Sequence, residues 1–282
     1  MSPDHRARRL IAGLLLSTHP GPTVAVTLVA VIVGVGVGLE GWRLVLLGLV
    51  IALNQASVGL SNDWIDADRD RSVGRTDKPV ARGQVPVATA RAVAVGCAVA
   101  SMALTVPLGW GATVAHAVFL GSAWAYNAGL KSTVVSLVPY LVSFGLLPAI
   151  VTLSLPEPRV AATWAIALGA LLGAAAHFAN VLPDLVDDDA TGVRGLPHRL
   201  GARASGFATF AVLAAAGIVG FVGPDRFEPI GLVGLIVSAA IAVIGTTLVL
   251  TRPPSRLLFR LIIVAAIVDV VVLATSGTAL LS

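Results

Sequence analysis

The sequence predicts an all-α polytopic membrane protein. Of its 282 residues, 56% are hydrophobic and only 12% are charged, and the mean hydropathy is +0.91. A soluble domain of this length needs more charge on its surface, and its apolar runs are shorter. The net charge of +4 is too small an excess to indicate a nucleic-acid partner, and in a membrane protein basic residues report topology instead.

Nine apolar segments are long enough to cross about 30 Å of hydrocarbon as helices. The division between the third and fourth depends on a short turn-forming stretch, PLGWG at 107–111. The predicted spans are residues 22–39, 44–63, 86–108, 110–129, 132–152, 161–183, 205–223, 229–250 and 257–280.

The basic residues predict how these spans are oriented. If the N-terminus is cytoplasmic, sixteen of the nineteen Lys and Arg residues lie on the inside, and only Arg43, Arg159 and Arg226 lie outside. Lys and Arg are enriched in cytoplasmic loops. We therefore expect a multi-pass protein of the cell (plasma) membrane with its N-terminus inside and its C-terminus outside, and residues 6–16 as an interfacial lead-in to the first span.

An acidic stretch, NDWIDADRDRSVG at 62–74, lies at the cytoplasmic end of the second span and holds four of the fifteen acidic residues. At about 100° per residue, one helical face collects most of its polar side chains, whereas Asp68 points away and should be solvated. Acids close to a membrane are costly, so this face predicts a functional site. The residues on it are Asn62, Asp63, Asp66 and Asp70.

The same pattern occurs again 118 residues further on, as NVLPDLVDDDATGVRGLPHRLG at 180–201. Matches of unusual residue types at one offset predict an internal repeat. Because spans 2 and 6 run in the same direction, the halves, about 22–130 and 132–250, would be parallel four-helix repeats within a single domain, 1–282, with the ninth helix added. The matched pairs are Asn62 and Asn180, Asp66 and Asp184, Asp70 and Asp188, Gly74 and Gly192, Pro79 and Pro197, and Gly83 and Gly201.

Two acidic faces with bases beside them predict a site for Mg²⁺ and a lipid diphosphate at the mouth of a helical cavity. Carboxylates hold Mg²⁺ and leave its other positions to water and phosphate, whereas softer metals favour His or Cys. Arg and Lys bind phosphate oxygens, and cations stabilise a departing pyrophosphate. A merely solvated acidic loop explains neither the shared face nor the repeat. The bases are Arg75, Lys78 and Arg82 after the first copy, and Arg194 and Arg199 after the second.

At these residues the sequence resembles the UbiA superfamily of intramembrane prenyltransferases. Residues 62–70 match the family's N-D-x-x-D-x-x-x-D motif in full, and Asp184 and Asp188 match its D-x-x-x-D motif. Val181 stands where a complete second copy has aspartate. The segment GRTDKP at 74–79 is similar to the family's R-P-L segment, and Tyr126 and Lys131 in YNAGLK look like its tyrosine–lysine pair.

The resemblance covers the whole chain and implies nine transmembrane helices around a central cavity. It implies that an isoprenyl diphosphate binds through Mg²⁺ and that the prenyl group passes to a lipophilic, often aromatic, acceptor with release of pyrophosphate. The alternative is a membrane terpene cyclase that needs no acceptor. The expected site comprises catalytic Asp66, Asp184, Lys131 and Tyr126; substrate-binding Asn62, Arg75, Lys78, Arg82, Asn180, Arg194 and His177; and metal-binding Asn62, Asp63, Asp66, Asp70, Asp184 and Asp188.

Several other residues have two readings. Gln55 either lines the cavity or bonds a neighbouring helix. His177 is either a base for the acceptor or a partner of an aspartate, His116 is expected to be hydrogen-bonded, and Asp269 needs a partner within the membrane. Aromatic residues either contact the isoprenoid or form the interfacial belt; they are Trp124, Tyr140 and Phe144.

A channel or transporter with acidic gates is a third possibility, because rings of acidic side chains select cations. Such a protein does not require the bases or the Gly and Pro residues that follow each acidic stretch. We therefore favour the enzyme.

Overall fold

Long apolar runs punctuated by Gly and Pro fold into helices along the whole chain. A computed structural model describes residues 3–182, 185, 192–251 and 256–281, and in this part of the chain the regular elements are eleven α-helices and short 3₁₀ turns. The helices are α1 (Pro3–Ser17), α2 (Pro20–Gly36), α3 (Gly41–Ile65), α4 (Ala67–Ser72), α5 (Val87–Thr105), α6 (Trp110–Ala128), α7 (Val138–Leu153), α8 (Thr163–Val181), α9 (Leu196–Val222), α10 (Pro229–Thr251) and α11 (Arg256–Thr275).

The nine predicted spans correspond in order to α2, α3 and α5–α11, whereas α1 and α4 were not predicted as separate helices. Within the described residues, five helices are long and apolar enough to cross a membrane, or six if α1 and α2, which meet at 56°, form one bent span. This all-helical architecture fits a polytopic membrane protein. The number of helices that cross the bilayer stays a prediction.

Two predicted helix starts differ from the structure by six residues or more. The 3₁₀ turn Leu130–Ser132 delays the start of α7 to Val138. α9 begins at Leu196 rather than 205, because the polar residues after Leu196 continue the helix across a kink at Gly201, where φ is 78° and ψ is 167°. Hydropathy alone finds neither feature, since the first turn is followed by apolar residues and the start of α9 is polar.

The helices form a closed ring. α3 packs against α2, α5 and α6, and α6 packs against α7. α7, α8, α9 and α10 then follow as successive neighbours, and α11 contacts α8, α9 and α10 before it returns to α2. The junctions at the ends of α3, α6 and α8 and the start of α9 therefore lie around one mouth of the ring.

Backbone conformation repeats at the offset found in the sequence. Gly74 and Gly192 both have positive φ, 68° and 80°, and so do Gly83 and Gly201, at 70° and 78°. Left-handed backbone of this kind favours glycine. The starts of α2 and α7, Pro20 and Val138, are also separated by 118 residues. These agreements support the proposal that the chain consists of two parallel repeats and one further helix.

Candidate functional site

The ring encloses a cavity of about 470 Å³, within the range of small-molecule pockets. Its polar end is lined by Asn62, Asp66 and Asp70, and apolar side chains such as Val58 and Phe119 line much of the rest. Lining residues on α3 extend back to Gln55, eleven residues before Asp66 and so about 16 Å along the helix axis. The cavity is therefore charged at one end and largely apolar along its depth.

Asp66 lies at the break between α3 and α4, but the helical register continues through it. Its N–H donates to Asn62 O at 3.0 Å, and Asp70 N–H donates to Asp66 O at 2.8 Å. Lys131 Nζ donates to both Asp66 carboxylate oxygens, at 2.6 and 2.5 Å, and Arg69 Nη2 and Asn62 Nδ2 donate to Oδ2 at 3.0 and 3.1 Å. The continuous register is why Asn62, Asp66 and Asp70 reach the same cavity.

Asp63 lies behind the cavity wall and is 1% exposed. Its Oδ1 accepts hydrogen bonds from Lys78 Nζ at 2.6 Å and from His19 Nε2 at 2.9 Å. Its Oδ2 is buried and has no hydrogen-bond partner among the described residues. A buried carboxylate oxygen without a partner is costly, so it marks an atom that an additional ligand would stabilise.

Burial perturbs two ionisable groups at the polar end of the cavity. It raises the pKa of the Asp70 carboxyl, against the lowering effect of the nearby Lys78 and Arg69. It also lowers the pKa of the Lys131 ammonium, against the raising effect of Asp66. Each shift has desolvation as its largest cause, since both side chains are held away from water.

Arg75 lines the cavity beside this acidic group and is oriented by Asp77. Its Nε and Nη2 donate to the two carboxylate oxygens of Asp77, each at 2.9 Å. This bidentate hydrogen bonding lowers the pKa of Asp77 to about 2. A guanidinium held in this way is pre-organised for a second anion.

The second half contributes Asn180, whose Nδ2 donates to the Tyr140 hydroxyl at 3.2 Å. Tyr126 and Tyr140 line the cavity with their rings edge to face, 5.1 Å apart, and Phe144 stacks on Tyr140 at 6.1 Å. An aromatic wall therefore begins beside the charged end.

Four of the predicted site residues that the structure describes do not line this cavity: Asp63, His177, Arg82 and Arg194. Arg82 is exposed and donates to Gln84 Oε1 at 2.9 Å, which places its guanidinium at the surface. Arg194 is also exposed. Asp184 and Asp188 lie outside the described residues.

His177 is fully buried behind the tyrosines. Its ring lies 4.9 Å from Tyr140 and 5.9 Å from Tyr126, and its Nε2 shares a hydrogen bond of 3.1 Å with Ser136 Oγ. Ser136 Oγ also accepts the Leu196 N–H at 2.9 Å. The histidine thus connects α8 to the α6–α7 connection and to the start of α9.

A close backbone approach completes this connection. A Cβ added at Gly195 would lie 2.5 Å from the Lys131 carbonyl oxygen and 2.9 Å from Ser136 Oγ. No real side chain tolerates the first distance, so the second half can pack against Lys131 only with glycine at this position.

The other polar and aromatic residues considered in the sequence either line the cavity or form hydrogen bonds and ion pairs elsewhere. Gln55 lines the cavity, and its hydrogen bond of 3.3 Å to Asn54 stays within α3 rather than reaching a neighbouring helix. His116 is buried and hydrogen-bonded to Asn54 and Thr105, and Asp269 accepts a hydrogen bond of 2.9 Å from Ser238. Trp124 donates to Ser57 at 3.0 Å, whereas Tyr140 and Phe144 line the cavity. Asp68 is exposed and pairs with Arg71, as expected of a solvated side chain.

Sequence reasoning missed His19, Thr18 and Asn127, all of which line the cavity. Asn127 Nδ2 donates to Ser61 Oγ at 2.7 Å and so holds α6 against α3. His19 precedes the first span on the side where we placed the acidic stretch, but nothing in its spacing from Asp63 indicates their contact.

The profile of the UbiA prenyltransferase family matches residues 23–268. The chain belongs to this family. Among solved structures, it is similar to a UbiA homolog from Archaeoglobus fulgidus bound to GPP and Mg²⁺, with 17% identity, a TM-score of 0.71, and coverage of 95% of this chain and 99% of that chain. The same homolog bound to DMAPP and Mg²⁺ gives the same identity and TM-score.

Two further UbiA-fold structures resemble the chain. A UbiA homolog from Aeropyrum pernix K1 has 19% identity and a TM-score of 0.68, over 87% of this chain and 95% of that chain. A structure concerned with digeranylgeranylglyceryl phosphate synthase in membranes has 14% identity and a TM-score of 0.66, over 96% and 98%. No curated protein matches the sequence. At these identities the likeness establishes the UbiA fold.

Proposed function

We propose that this UbiA-family chain is a Mg²⁺-dependent prenyltransferase that moves a prenyl group from an isoprenyl diphosphate to a lipophilic, aromatic acceptor in the membrane. The observation that carries this proposal is the meeting of Asp66 and Lys131 at the charged end of a cavity that is otherwise mainly apolar and aromatic. A substrate with a doubly phosphorylated head and a hydrocarbon tail matches both ends. Solved relatives bound to GPP or DMAPP with Mg²⁺ support the substrate class.

The first motif offers the kind of donor that Mg²⁺ takes, although the described residues alone do not bring three Asp, Glu, His or Cys side chains together as a metal site. The donors of the motif are carboxylate and carboxamide oxygens, the ligands that this ion takes, and Asp63 contributes a buried oxygen without a partner in the described part of the chain. We propose that Asn62, Asp63, Asp66 and Asp70 hold the metal together with Asp184 and Asp188, which lie outside the described residues. When bound, Mg²⁺ neutralises the diphosphate and so makes it a better leaving group.

The basic side chains would bind the diphosphate directly. Lys131 and Lys78 each hold a carboxylate of the motif, and Arg75 is oriented beside them by Asp77, so all three ammonium or guanidinium groups lie within the polar end. Their donors stabilise the charge that develops on the leaving pyrophosphate. We place Asn180 at the same end, and assign Arg194 and Arg82 no direct contact in the described arrangement.

The aromatic wall would bind the other product of ionisation. Tyr126, Tyr140 and Phe144 present ring faces or edges beside the charged end, where the allylic carbon leaves its diphosphate. Ring faces attract cationic character, and the apolar walls limit attack by water. His177 would act here only through the tyrosines that cover it.

The same aromatic wall is what favours the second candidate, a membrane terpene cyclase, because cyclisation also needs a stabilised cation. In both cases we propose nine spans around the cavity, with the N-terminus and the acidic loops on the cytoplasmic side of the plasma membrane. The charge distribution of the loops supports this orientation.

The test is pyrophosphate release by the full chain in lipid nanodiscs, with Mg²⁺ and either GPP or DMAPP. We expect release with wild type and Asp68→Asn, since Asp68 is exposed, and a loss of about 100-fold or more with Asp66→Asn. Mass spectrometry with and without lipophilic phenols identifies the product: a prenylated phenol supports transfer, and an acceptor-free hydrocarbon or alcohol supports the cyclase. If neither diphosphate releases pyrophosphate, or if Asp66→Asn is fully active, the proposal that the chain is an enzyme is wrong. The channel or transporter then becomes the favoured hypothesis.

A further inference from the structure

His19 has an unusual backbone for its residue type. With φ at 54° and ψ at 68°, it is the one non-glycine residue with positive φ in the described part of the chain. It precedes α2 and makes no side-chain cap for that helix. Left-handed backbone is unfavourable for a residue with a Cβ, and such strain persists only where surrounding contacts impose it.

The neighbouring helix is shaped to receive the strained residue. A Cβ at Gly59 of α3 would lie 2.6 Å from the Thr18 carbonyl oxygen and 3.0 Å from His19 Cδ2. Glycine at this position therefore lets the α1–α2 junction lie directly on α3, one turn before Asp63. Both Thr18 and His19 line the cavity there.

The result of this approach is a hydrogen bond to the acidic motif. His19 Nε2 lies 2.9 Å from Asp63 Oδ1 and 3.2 Å from Lys78 Nζ, and because a carboxylate only accepts, the bond to Asp63 requires the proton on Nε2. Lys78 Nζ donates to the same oxygen at 2.6 Å. Oδ1 is thereby engaged twice, and Oδ2 is left as the oxygen without a partner among the described residues.

The second half of the chain supplies an internal comparison. At the offset of 118, His19 and Asp63 correspond to Leu137 and Val181, an apolar pair. Leu137 precedes α7 as His19 precedes α2, but its φ of −71° and ψ of −34° are ordinary helical values. The connection before this helix therefore does not itself require a left-handed residue. The strained backbone occurs only in the copy that has the polar pair His19 and Asp63.

We propose that His19 is a positioning residue of the diphosphate site, which fixes the Asp63 carboxylate through Oδ1 and leaves Oδ2 for the metal ion. This inference rests on the proposed function. Groups that orient a metal ligand typically affect metal affinity about 10- to 100-fold when they are removed. His19 touches the ligand rather than the reacting atoms, so its loss acts on binding before it acts on chemistry.

The experiment is calorimetric titration of the full chain in nanodiscs with Mg²⁺ alone, then with inorganic pyrophosphate present. Three variants separate the donor from the backbone strain: His19→Gln keeps an N–H donor, His19→Leu keeps the strain without a donor, and His19→Gly removes both. We expect Leu and Gly to weaken Mg²⁺ binding by about 10-fold or more, and Gln to stay close to wild type.

Two results overturn the positioning role: Mg²⁺ binding by His19→Gly at wild-type affinity, or equal weakening by Gln and Leu. Glycine adopts the native backbone without strain, so it gives a reading even if the leucine variant fails to fold. Asp66→Asn is the separate control for the site itself. If that variant binds Mg²⁺ like wild type, the proposed function fails; if it loses binding while the His19 variants keep it, only the inference about His19 fails.

Discussion

Lys131 and Asp66 form a two-point ion pair across 65 residues of sequence, with the lysine Nζ 2.6 and 2.5 Å from the two carboxylate oxygens. The two side chains are only 10% and 6% exposed. The pair joins the 3₁₀ turn after α6 to the break between α3 and α4. It therefore holds the acidic motif against the connection that leads into the second half of the chain.

Replacing Lys131 with methionine should abolish most turnover. Methionine keeps much of the side-chain length but removes the donor that we assign to the leaving diphosphate, and loss of one such donor typically costs about 10²- to 10³-fold in kcat. The rate of pyrophosphate release measures the effect, and circular dichroism checks folding. Arg71→Met is the matched control, because Arg71 is half-exposed and pairs with the exposed Asp68; equal rates for both variants would contradict the role of Lys131.

Arg82 was predicted from the sequence to bind the substrate, but in the structure its side chain does not line the cavity. Its guanidinium is exposed and bonded to Gln84, whereas Lys78, four residues earlier, lines the cavity and pairs with Asp63. Arg82→Gln should leave the Michaelis constant for GPP near wild type, since the Arg82 side chain does not line the cavity. Lys78→Gln should raise that constant. A similar increase for both variants would place Arg82 at the diphosphate after all.

A methyl group at position 195 should damage the site without touching any charge. In Gly195→Ala the new Cβ would meet the Lys131 carbonyl oxygen at 2.5 Å, so the turn that carries Lys131 must shift. We expect turnover to fall in the same direction as in Lys131→Met. Gly121→Ala is the control, because its Cβ has no neighbour within 4 Å and alanine favours a helix interior. Wild-type turnover in Gly195→Ala would show that the turn is not tightly packed.

Ser238 and Asp269 should behave as a coupled pair in thermal unfolding. The serine hydroxyl bonds Asp269 Oδ1 at 2.9 Å, and Asp269 is 1% exposed. Ser238→Ala removes that hydrogen bond from a buried acid and should lower the free energy of unfolding by about 1–3 kcal/mol. The double variant Ser238→Ala/Asp269→Val removes both polar groups and should recover much of the loss. Additive destabilisation in the double variant would show that the two side chains do not depend on each other.

The sequence predicts the helices best where a turn residue ends an apolar run. The fourth predicted span, 110–129, differs from α6 by one residue at its end because Gly109 and Gly129, with φ of 125° and 157°, bound that helix. The fifth and seventh spans are less accurate. Val134 and Val135 extend the hydropathy of the fifth span into a non-helical connection, and the polar start of α9 conceals a helix that hydropathy does not detect.

The site could be predicted where local spacing determines it and not where packing does. Helical periodicity placed Asn62, Asp63, Asp66 and Asp70 on one face; Asn62, Asp66 and Asp70 line the cavity, whereas Asp63 is buried behind its wall. Periodicity cannot show that His19, 44 residues earlier, contacts Asp63, because that contact depends on a left-handed residue and on the space left by Gly59. For the same reason Arg82 was grouped with Lys78 from proximity in sequence, although their side chains point to different places.

The paired left-handed glycines carry a record of ancestry. If the two repeats descend from one duplicated unit, as we propose, the turns at Gly74 and Gly192 and at Gly83 and Gly201 were inherited together, and both copies still keep them. The side chains around them have diverged, most clearly at the corresponding positions 63 and 181, where the first copy has Asp63 and the second has Val181. Two identical parallel units would present two equivalent polar faces at the same mouth of the ring. Divergence of one copy made the two faces unequal, so the head of a ligand now meets a different set of side chains on each side.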